Sequence, residues 1–127
     1  MAKYLIDTDV MVDVSRGNAG AAGLIDSLDG VTLSILTAHE LIVGARNQRE
    51  ALAIDSLVQA YPVQAEIGAE ITRLAYDLLK SYAKSHGLRT FDALIAATAI
   101  NGGLTLVSRN RMHFAIIRGL SFSAPSY

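Results

Sequence analysis

Residues 91–100 read Phe91-Asp92-Ala93-Leu94-Ile95-Ala96-Ala97-Thr98-Ala99-Ile100, a run that is apolar at nearly every position. With Thr90 as a plausible N-cap, this composition predicts a helix. A helix that is apolar nearly all round is expected to be buried within the fold rather than to lie on its surface. Asp92, in the first turn, is the only charged residue of this helix, so its presence there needs an explanation.

The segments around this helix alternate between short β-rich runs and helical ones. We predict strands at residues 3–6, 31–35, 62–63, 104–107 and 115–117, and further helices at about 10–14, 21–28, 38–45, 49–60 and 66–85. The tail after Ser121 is expected to be loosely ordered. Alternation of this kind implies a mostly parallel sheet covered by helices on both faces, and the predicted fold class is therefore a three-layer α/β/α protein.

The helix predicted at 66–85 has the clearest periodicity. Its apolar residues recur at steps of four, three and four, which places Ile67, Ile71, Leu74 and Leu78 on one face. His86-Gly87 is typical of a helix C-terminus. The helix predicted at 38–45 is expected to begin after Thr37 as its N-cap.

The composition allows a sizeable hydrophobic core. Of 127 residues, 51% are hydrophobic and 18% are charged, a size and balance typical of one folded domain covering residues 1–127. The mean hydropathy of +0.33 is high for a small monomer. Some apolar side chains are therefore expected to cover a partner or a second copy of the chain.

Several classes of protein are disfavoured by the same data. No apolar run approaches the ~18 residues that a membrane-spanning helix needs, and the first apolar stretch is too short for a signal peptide. The sequence has no cysteine, which excludes disulfides and thiolate zinc sites and fits a cytoplasmic protein. With 11 basic and 12 acidic residues the net charge is −1, so charge alone does not indicate nucleic-acid binding.

Three acids and one amide occupy corresponding places in the predicted fold. Asp7 follows the first strand directly, Glu40 lies in the first turn after the second strand, and Asp92 opens the buried helix. Asn110 follows the strand at 104–107. Because the carboxyl ends of parallel strands meet at one edge of a sheet, we expect these side chains to lie close together.

Carboxylates gathered in a cleft repel one another, so folding alone would not favour the cluster. Each acid taken singly has a simpler explanation, because acids are common at helix starts. Their joint placement instead favours a hard divalent cation, Mg²⁺ or Mn²⁺, which binds oxygen ligands. Such an ion next to a phosphodiester can activate water and offset developing charge.

Four segments of the chain, in order, resemble the motifs of the PIN-domain family, and in particular the VapC-type ribonuclease toxins of bacterial toxin–antitoxin pairs. Tyr4-Leu5-Ile6-Asp7-Thr8-Asp9-Val10 is similar to the first motif and Thr37-Ala38-His39-Glu40-Leu41 to the second. Phe91-Asp92-Ala93-Leu94-Ile95-Ala96-Ala97-Thr98-Ala99 closely resembles the third. Leu106-Val107-Ser108-Arg109-Asn110, with Phe114, resembles the fourth.

This resemblance implies a metal-dependent endoribonuclease that acts on structured RNA such as tRNA or rRNA and leaves a 5′-phosphate and a 3′-hydroxyl. It also implies a homodimer and a small antitoxin protein that blocks the site. By position, Asp7, Glu40 and Asp92 take the metal-ligand roles, and Asn110 stands where many PIN domains carry a fourth acid. Because an amide adds no charge, Asn110 favours one tightly held ion over two.

Other polar residues near the four motifs have weaker assignments. Thr8 and Ser108 are candidates to support the acids or bound water through their hydroxyls, with an ordinary role at turns equally open. Four arginines are candidates to hold RNA phosphates, although for each one a solvated surface position is the simpler interpretation: Arg16, Arg46, Arg109 and Arg111. The histidines match no zinc motif, and only His113 lies near a motif: His39, His86 and His113.

Three alternatives to an active nuclease can be compared with the residues of this sequence. Asp7-Thr8-Asp9 mimics the start of haloacid-dehalogenase-type phosphatases, but Met11 stands where that class carries Thr or Val, and the chain is short for it. A phospho-acceptor receiver domain needs a late lysine, and no lysine follows Lys84. The third alternative is a PIN-type module that binds RNA or protein without cutting, for which Asn110 would be the cause.

Overall fold

A computed structural model describes all residues, 1–127. Its strands are β1 (Tyr4–Ile6), β2 (Val31–Ser34), β3 (Val63–Gln64), β4 (Thr105–Val107) and β5 (Ser121–Ser123). Its helices are α1 (Thr8–Ser15), α2 (Ala19–Ser27), α3 (Ile35–Val43), α4 (Gln48–Gln59), α5 (Ala69–His86), α6 (Thr90–Gly102) and α7 (Arg111–Phe114). None of these helices has both the length and the apolar character needed to cross a membrane.

All five strands pair in parallel, in the order β3-β2-β1-β4-β5. The chain builds outward from the central β1 twice, first through β2 to β3 and later through β4 to β5. Strand order therefore reverses between β1 and β4, where Ile6 pairs with Val107 in the last register position. In open parallel sheets the crevice at such a reversal, beyond the carboxyl ends of the strands, is the usual ligand site.

Side chains of the central strands alternate between two hydrophobic cores, one on each face of the sheet. Leu5 and Leu106 belong to a core shared with α5 and α6, whereas Ile6 and Val107 belong to a core shared with α1, α2 and α3. The α/β/α layering predicted from the sequence is confirmed, and the sheet is entirely parallel.

Helix α6 is buried as its composition predicts. Its apolar positions lie at or near zero exposure: Ala93, Ile95, Ala96, Ala97 and Ala99. The expected N-cap is wrong, because Thr90 is already helical and Arg89 holds the cap position without a side-chain hydrogen bond. Burial on all sides fixes where α6 starts, and so fixes Asp92 relative to the sheet.

Two other helix starts differ from those predicted. Helix α3 begins directly after β2, because the Ser34 hydroxyl accepts a hydrogen bond from Leu36 N at 3.1 Å, and Thr37 is buried within the helix rather than capping it. Helix α5 begins after Gly68, so that Ile67 packs on the core from the preceding loop. In both cases an apolar residue beside the boundary was assigned to the wrong element.

The C-terminal region is more ordered than its sequence predicts. No strand forms at 115–117, where Ile117 instead packs into the core from a turn. The last strand is β5, which pairs with β4 and is tied to it by a 2.9 Å contact between the Thr105 and Ser121 hydroxyls. Two serines flank Phe122 in β5, and because of this polar composition the sequence pattern does not indicate a strand there.

Candidate active site

Asp7 is the most buried acid at the carboxyl edge of the sheet, with 8% of its surface exposed. It ends β1 and caps α1, because Oδ1 accepts a hydrogen bond from Thr8 N at 2.8 Å. Oδ2 accepts one from the Ser108 hydroxyl at 2.7 Å, and Ser108 follows the neighbouring strand β4. Both oxygens are thus fixed by groups at the ends of the two central strands.

Asp9 lies beside Asp7, in the first turn of α1. Its Oδ1 accepts a hydrogen bond from Val10 N at 2.7 Å, and its Oδ2 accepts one from Arg109 N at 3.0 Å. The Ser108 hydroxyl is also 3.4 Å from Asp9 Oδ2, so one serine bridges both carboxylates. We call Asp7 and Asp9 the inner pair.

The inner pair is electrostatically strained. Burial first, and then the charges of Asp9 and Asp92, raise the pKa of Asp7 to about 7, although hydrogen bonds from Ser108 and Thr8 lower it in part. Burial also raises the pKa of Asp9, which backbone donors partly offset. No basic side chain is among the main influences on Asp7. A cation bound here would relieve the cost of holding these carboxylates ionised.

Glu40 and Asp92, which we call the outer pair, are less buried and are each held by a side chain from another element. Glu40 Oε1 accepts a hydrogen bond from the Thr8 hydroxyl at 2.5 Å. Asp92 Oδ2 lies 2.8 Å from Nδ1 of His113, on α7. These contacts direct the two outer carboxylates toward different partners.

Asn110 serves as the N-cap of α7. Its Oδ1 accepts a hydrogen bond from His113 N at 3.2 Å, and its Nδ2 lies 3.0 Å from His113 Nδ1. Its own backbone N–H donates to the Ser108 hydroxyl at 3.0 Å. The amide therefore lies at the site, as its place in the sequence predicts, with its carbonyl oxygen engaged by the helix that follows.

A cleft of about 510 Å³ opens above the outer pair. Six of its seven lining residues are polar or charged, and the seventh is aromatic: Glu40, Arg89, Thr90, Phe91, Asp92, Asn110 and His113. A volume of this order is sufficient for a small ligand or one nucleotide. Asp7 is buried and does not line the cleft.

The oxygen donors suit a hard cation by their chemistry, although they are not gathered around one point. No three His, Asp or Glu side chains stand close enough together to hold a metal ion as arranged. The physical reason lies in the outer pair, because Glu40 is turned to Thr8 and Asp92 to His113. An ion bound jointly by Asp7 and the outer pair would have to compete with these two contacts, and a set of carboxylates with no competing thiolate fits Mg²⁺ or Mn²⁺.

Arg109 belongs to a second cluster at the rim of the site. Its Nη1 lies 3.0 Å from Asp13 Oδ2, which also accepts a hydrogen bond from the Tyr127 hydroxyl at 2.7 Å. The guanidinium lies 5.5 Å from the centre of the Tyr127 ring. Burial and the bond to Asp13 raise the pKa of Tyr127, and that same bond lowers the pKa of Asp13. The tail that the sequence predicts to be loose is therefore anchored here.

The remaining basic candidates are spread over the surface. Arg111 is exposed at the start of α7. Arg16 and Arg46 line a separate groove of about 700 Å³ between α1, α3 and α4, and Arg46 pairs there with Glu50 at 2.8 Å. His39 and His86 are exposed and do not line the cleft, so of the three histidines only His113 lies at the site.

Sequence reasoning overlooked three residues of this site. Asp9 falls within the first PIN-type motif and the phosphatase-like pattern but was given no role, although two carboxylates two positions apart after a strand are themselves a signal for an ion site. Arg89 and Phe91 precede Asp92 by three positions and one position, and both line the cleft with it. Their proximity to a predicted site acid was the available signal.

Fold and cleft together define a three-layer α/β protein with an acidic crevice at the carboxyl edge of a parallel sheet. The PIN domain matches residues 4–119, so the chain belongs to the PIN-domain family. It is 35% identical to Ribonuclease VapC19 of Mycobacterium tuberculosis over 121 residues, which cover 91% of this chain and 95% of that protein.

Solved structures with the same fold come from toxin–antitoxin complexes. A toxin–antitoxin complex from Klebsiella pneumoniae contains a chain with a TM-score of 0.80 and 25% identity, covering 93% of this chain and 95% of that one. DNA-bound VapBC from Salmonella typhimurium contains a chain with a TM-score of 0.85 and 19% identity, covering 98% of each. The second likeness is one of fold alone.

Proposed function

We propose that this PIN domain, residues 1–127, is a metal-dependent endoribonuclease toxin that cleaves structured RNA, such as tRNA or rRNA, and is inhibited by a cognate antitoxin. The observation that carries the proposal is the buried Asp7 at the reversal of strand order, with Asp9, Glu40 and Asp92 around it. The similarity to a ribonuclease over nearly the whole chain supports the same activity.

Asp7, Glu40 and Asp92 would hold Mg²⁺ or Mn²⁺, which supplies the positive charge that lowers the pKa of water and stabilises a phosphorane-like transition state. Ser108 and Thr8 orient the carboxylates through the hydrogen bonds described above. Asn110, which lines the cleft, would orient a water molecule through the remaining hydrogen-bonding capacity of its amide. Attack of water in line with the leaving oxygen leaves a 5′-phosphate and a 3′-hydroxyl.

Partner binding follows from the surface beside the site. The groove of about 700 Å³ includes Glu40 in its lining, so a segment of an antitoxin seated there would reach that outer carboxylate. Exposed apolar side chains border this region, with Val43 at 83% and Leu52 at 61% exposure. Exposure of this extent favours a protein partner and a homodimer, in a cytoplasmic setting where RNA is available.

The test is cleavage of total bacterial RNA by the purified chain with Mg²⁺, with Mn²⁺ and with EDTA. We expect discrete fragments that need metal, end in 5′-phosphate and disappear for Asp7→Asn. Asp55→Asn is the matched control, since it makes the same chemical change at an exposed acid of α4. Products with a 2′,3′-cyclic phosphate would contradict attack by water, because the ribose hydroxyl would then be the nucleophile.

One observation favours a second candidate, a PIN module that binds RNA or protein without cutting. Asn110 caps α7 and adds no charge, and the outer carboxylates are engaged by Thr8 and His113. Intact RNA in every reaction, from folded protein freed of any antitoxin, would support this candidate instead.

A further inference from the structure

Phe91 is an exposed aromatic residue within an otherwise polar cleft. Its side chain is 42% exposed and belongs to neither hydrophobic core. It stacks on no aromatic ring and meets no cation. Single exposed apolar residues are common on protein surfaces, but this one adjoins Asp92 and is the only apolar residue lining the cleft. Its ring contributes to the surface that a bound ligand would meet.

Arg89 lines the same cleft two residues earlier. It is exposed and forms no ion pair, although Glu40 and Asp92 are also lining residues. By contrast, Arg46 and Arg109 are each paired with a carboxylate. Arg89 is thus a cation at the cleft whose guanidinium remains available to an anion from outside the chain.

We propose that Phe91 and Arg89 form a nucleotide subsite in which an unpaired RNA base stacks on Phe91 and an adjacent phosphate contacts Arg89. This proposal rests on the proposed function and narrows its substrate class to RNA with an unpaired base at the cut. Bases within a duplex have no free face, whereas unpaired bases stack readily on aromatic side chains. Aromatic ring, cation and outer carboxylates line one cleft of about 510 Å³, sufficient for such a nucleotide.

The sequence supplies a direct reporter for this contact. It contains no tryptophan, so Phe91→Trp introduces a single fluorescent indole at the proposed stacking position. In an Asp7→Asn background, which we expect to prevent cleavage, titration with a short oligouridylate should quench that fluorescence. An oligomer of equal length that lacks bases should quench it much less. Tyr76→Trp is the matched control, since Tyr76 is 62% exposed on α5 and does not line the cleft.

Binding measured with labelled oligouridylate distinguishes the effect of base stacking on the ring from the effect of an apolar side chain of similar size. Phe91→Leu keeps an apolar side chain but removes the ring, and we expect it to weaken binding on the order of tenfold. Phe91→Tyr keeps the ring and should bind to within about twofold of the original protein. Arg89→Gln should lower the slope of log affinity against log salt concentration by about 0.7, the value for one phosphate contact in a single strand.

Each outcome of this experiment decides between stated alternatives. Oligouridylate that binds without quenching Trp at position 91, and binds Phe91→Leu equally well, would overturn the subsite while leaving metal-dependent cleavage intact. Fluorescence that changes with protein concentration rather than with RNA would overturn it in favour of a second copy covering Phe91. Failure of the original protein to bind or cut any RNA would overturn the proposed function and the subsite together.

Discussion

The inner and outer pairs of carboxylates are held in different ways. Each oxygen of Asp7 and Asp9 accepts a hydrogen bond from a neighbouring backbone N–H or from Ser108, so the ends of β1 and β4 fix their positions. Glu40 and Asp92 each rely on one long-range side-chain contact. The positions of Asp7 and Asp9 are therefore fixed by the strand ends, whereas a change of rotamer at Glu40 or Asp92 would leave the hydrogen bonds of the inner pair intact.

This difference indicates how the site would respond to an ion. Burial places Asp7 where its charge is costly, and the pKa of Asp7 rises to about 7 as a result. The outer carboxylates are more exposed, and each is held by one side-chain contact. An entering cation would find a fixed inner ligand and adjustable outer ones. Predictions that treat the two pairs separately can test this account.

The largest effect is expected on cleavage. Asp92→Asn removes the charge of an outer ligand and should lower the cleavage rate by about 10² to 10³-fold. The protein should remain folded, because Asp92 is only half-buried and the isosteric amide keeps the contact to His113. Rate and circular dichroism measured on the same preparation check both statements. Retained cleavage would mean that Asp92 serves only the start of α6.

The inner pair should dominate the dependence of stability on pH in the absence of metal. A buried acid whose pKa is about 7 in the folded protein, above the ordinary value of 3.8 for an aspartate, binds its proton more tightly when folded. The contribution of Asp7 to stability should then be largest below about pH 4, fall as pH rises, and level off above about pH 7. The loss amounts to as much as ~4 kcal/mol.

Asp7→Asn isolates this contribution, because its side chain does not ionise. The difference in unfolding free energy between Asp7→Asn and the original chain should therefore grow in favour of the variant from about pH 4 to pH 7. Urea denaturation at a series of pH values measures it. Equal pH dependence in the two proteins would show that Asp7 is not electrostatically strained.

Binding of a divalent metal ion should offset the loss of stability that the buried charge of Asp7 causes. At a Mg²⁺ concentration of about 100 times the dissociation constant, binding to the folded state alone adds ~2.7 kcal/mol of stability. The melting temperature of the original chain should rise accordingly, with no rise for Asp7→Asn. Glu40→Gln should show a smaller but measurable rise, since an adjustable outer ligand is easier to replace. Equal rises in all three proteins would indicate that Mg²⁺ binds elsewhere.

The sequence predicted the parts of the site that depend on local pattern. The apolar run that stops at Asp7 and the buried helix that opens at Asp92 both mark element ends, and the parallel sheet then brings those ends to one edge. It named Ser108 as a candidate to support the acids, but it did not predict which carboxylates Ser108 contacts, nor the contact of His113 with Asp92. Ser108 bridges Asp7 and Asp9 across about a hundred positions, and His113 reaches Asp92 from α7. No periodicity encodes such pairings.

Strand β5 and the C-terminal tail were also not predicted from the sequence, because their positions too depend on contacts with distant residues. Strand β5 carries serine on either side of Phe122, so it lacks the alternation of large apolar residues that marks a buried strand. Its place is set by hydrogen bonding to β4. Beyond it, the position of Tyr127 depends on Asp13 and Arg109, which are remote in sequence.

The smallest predicted effect concerns this anchored tail. Tyr127→Phe keeps the ring beneath Arg109 but removes the hydroxyl that donates to Asp13, and should lower stability by about 1 kcal/mol or less. Tyr76→Phe is the matched control, because the Tyr76 hydroxyl has no hydrogen-bond partner within the chain and Tyr76 is 62% exposed. Thermal melts of the two variants compare them directly.

The cleavage rate of Tyr127→Phe then tests whether the cluster of Asp13, Arg109 and Tyr127 affects the function of the inner pair. Arg109 reaches the inner pair through its backbone N–H, which donates to Asp9, and not through its guanidinium. Since that bond depends on the end of β4 rather than on the tail, cleavage should stay within about twofold of the original rate, well below the loss for a catalytic donor. A tenfold loss at unchanged melting temperature would instead show that Asp13 and Tyr127 hold the Arg109 side chain for contact with RNA.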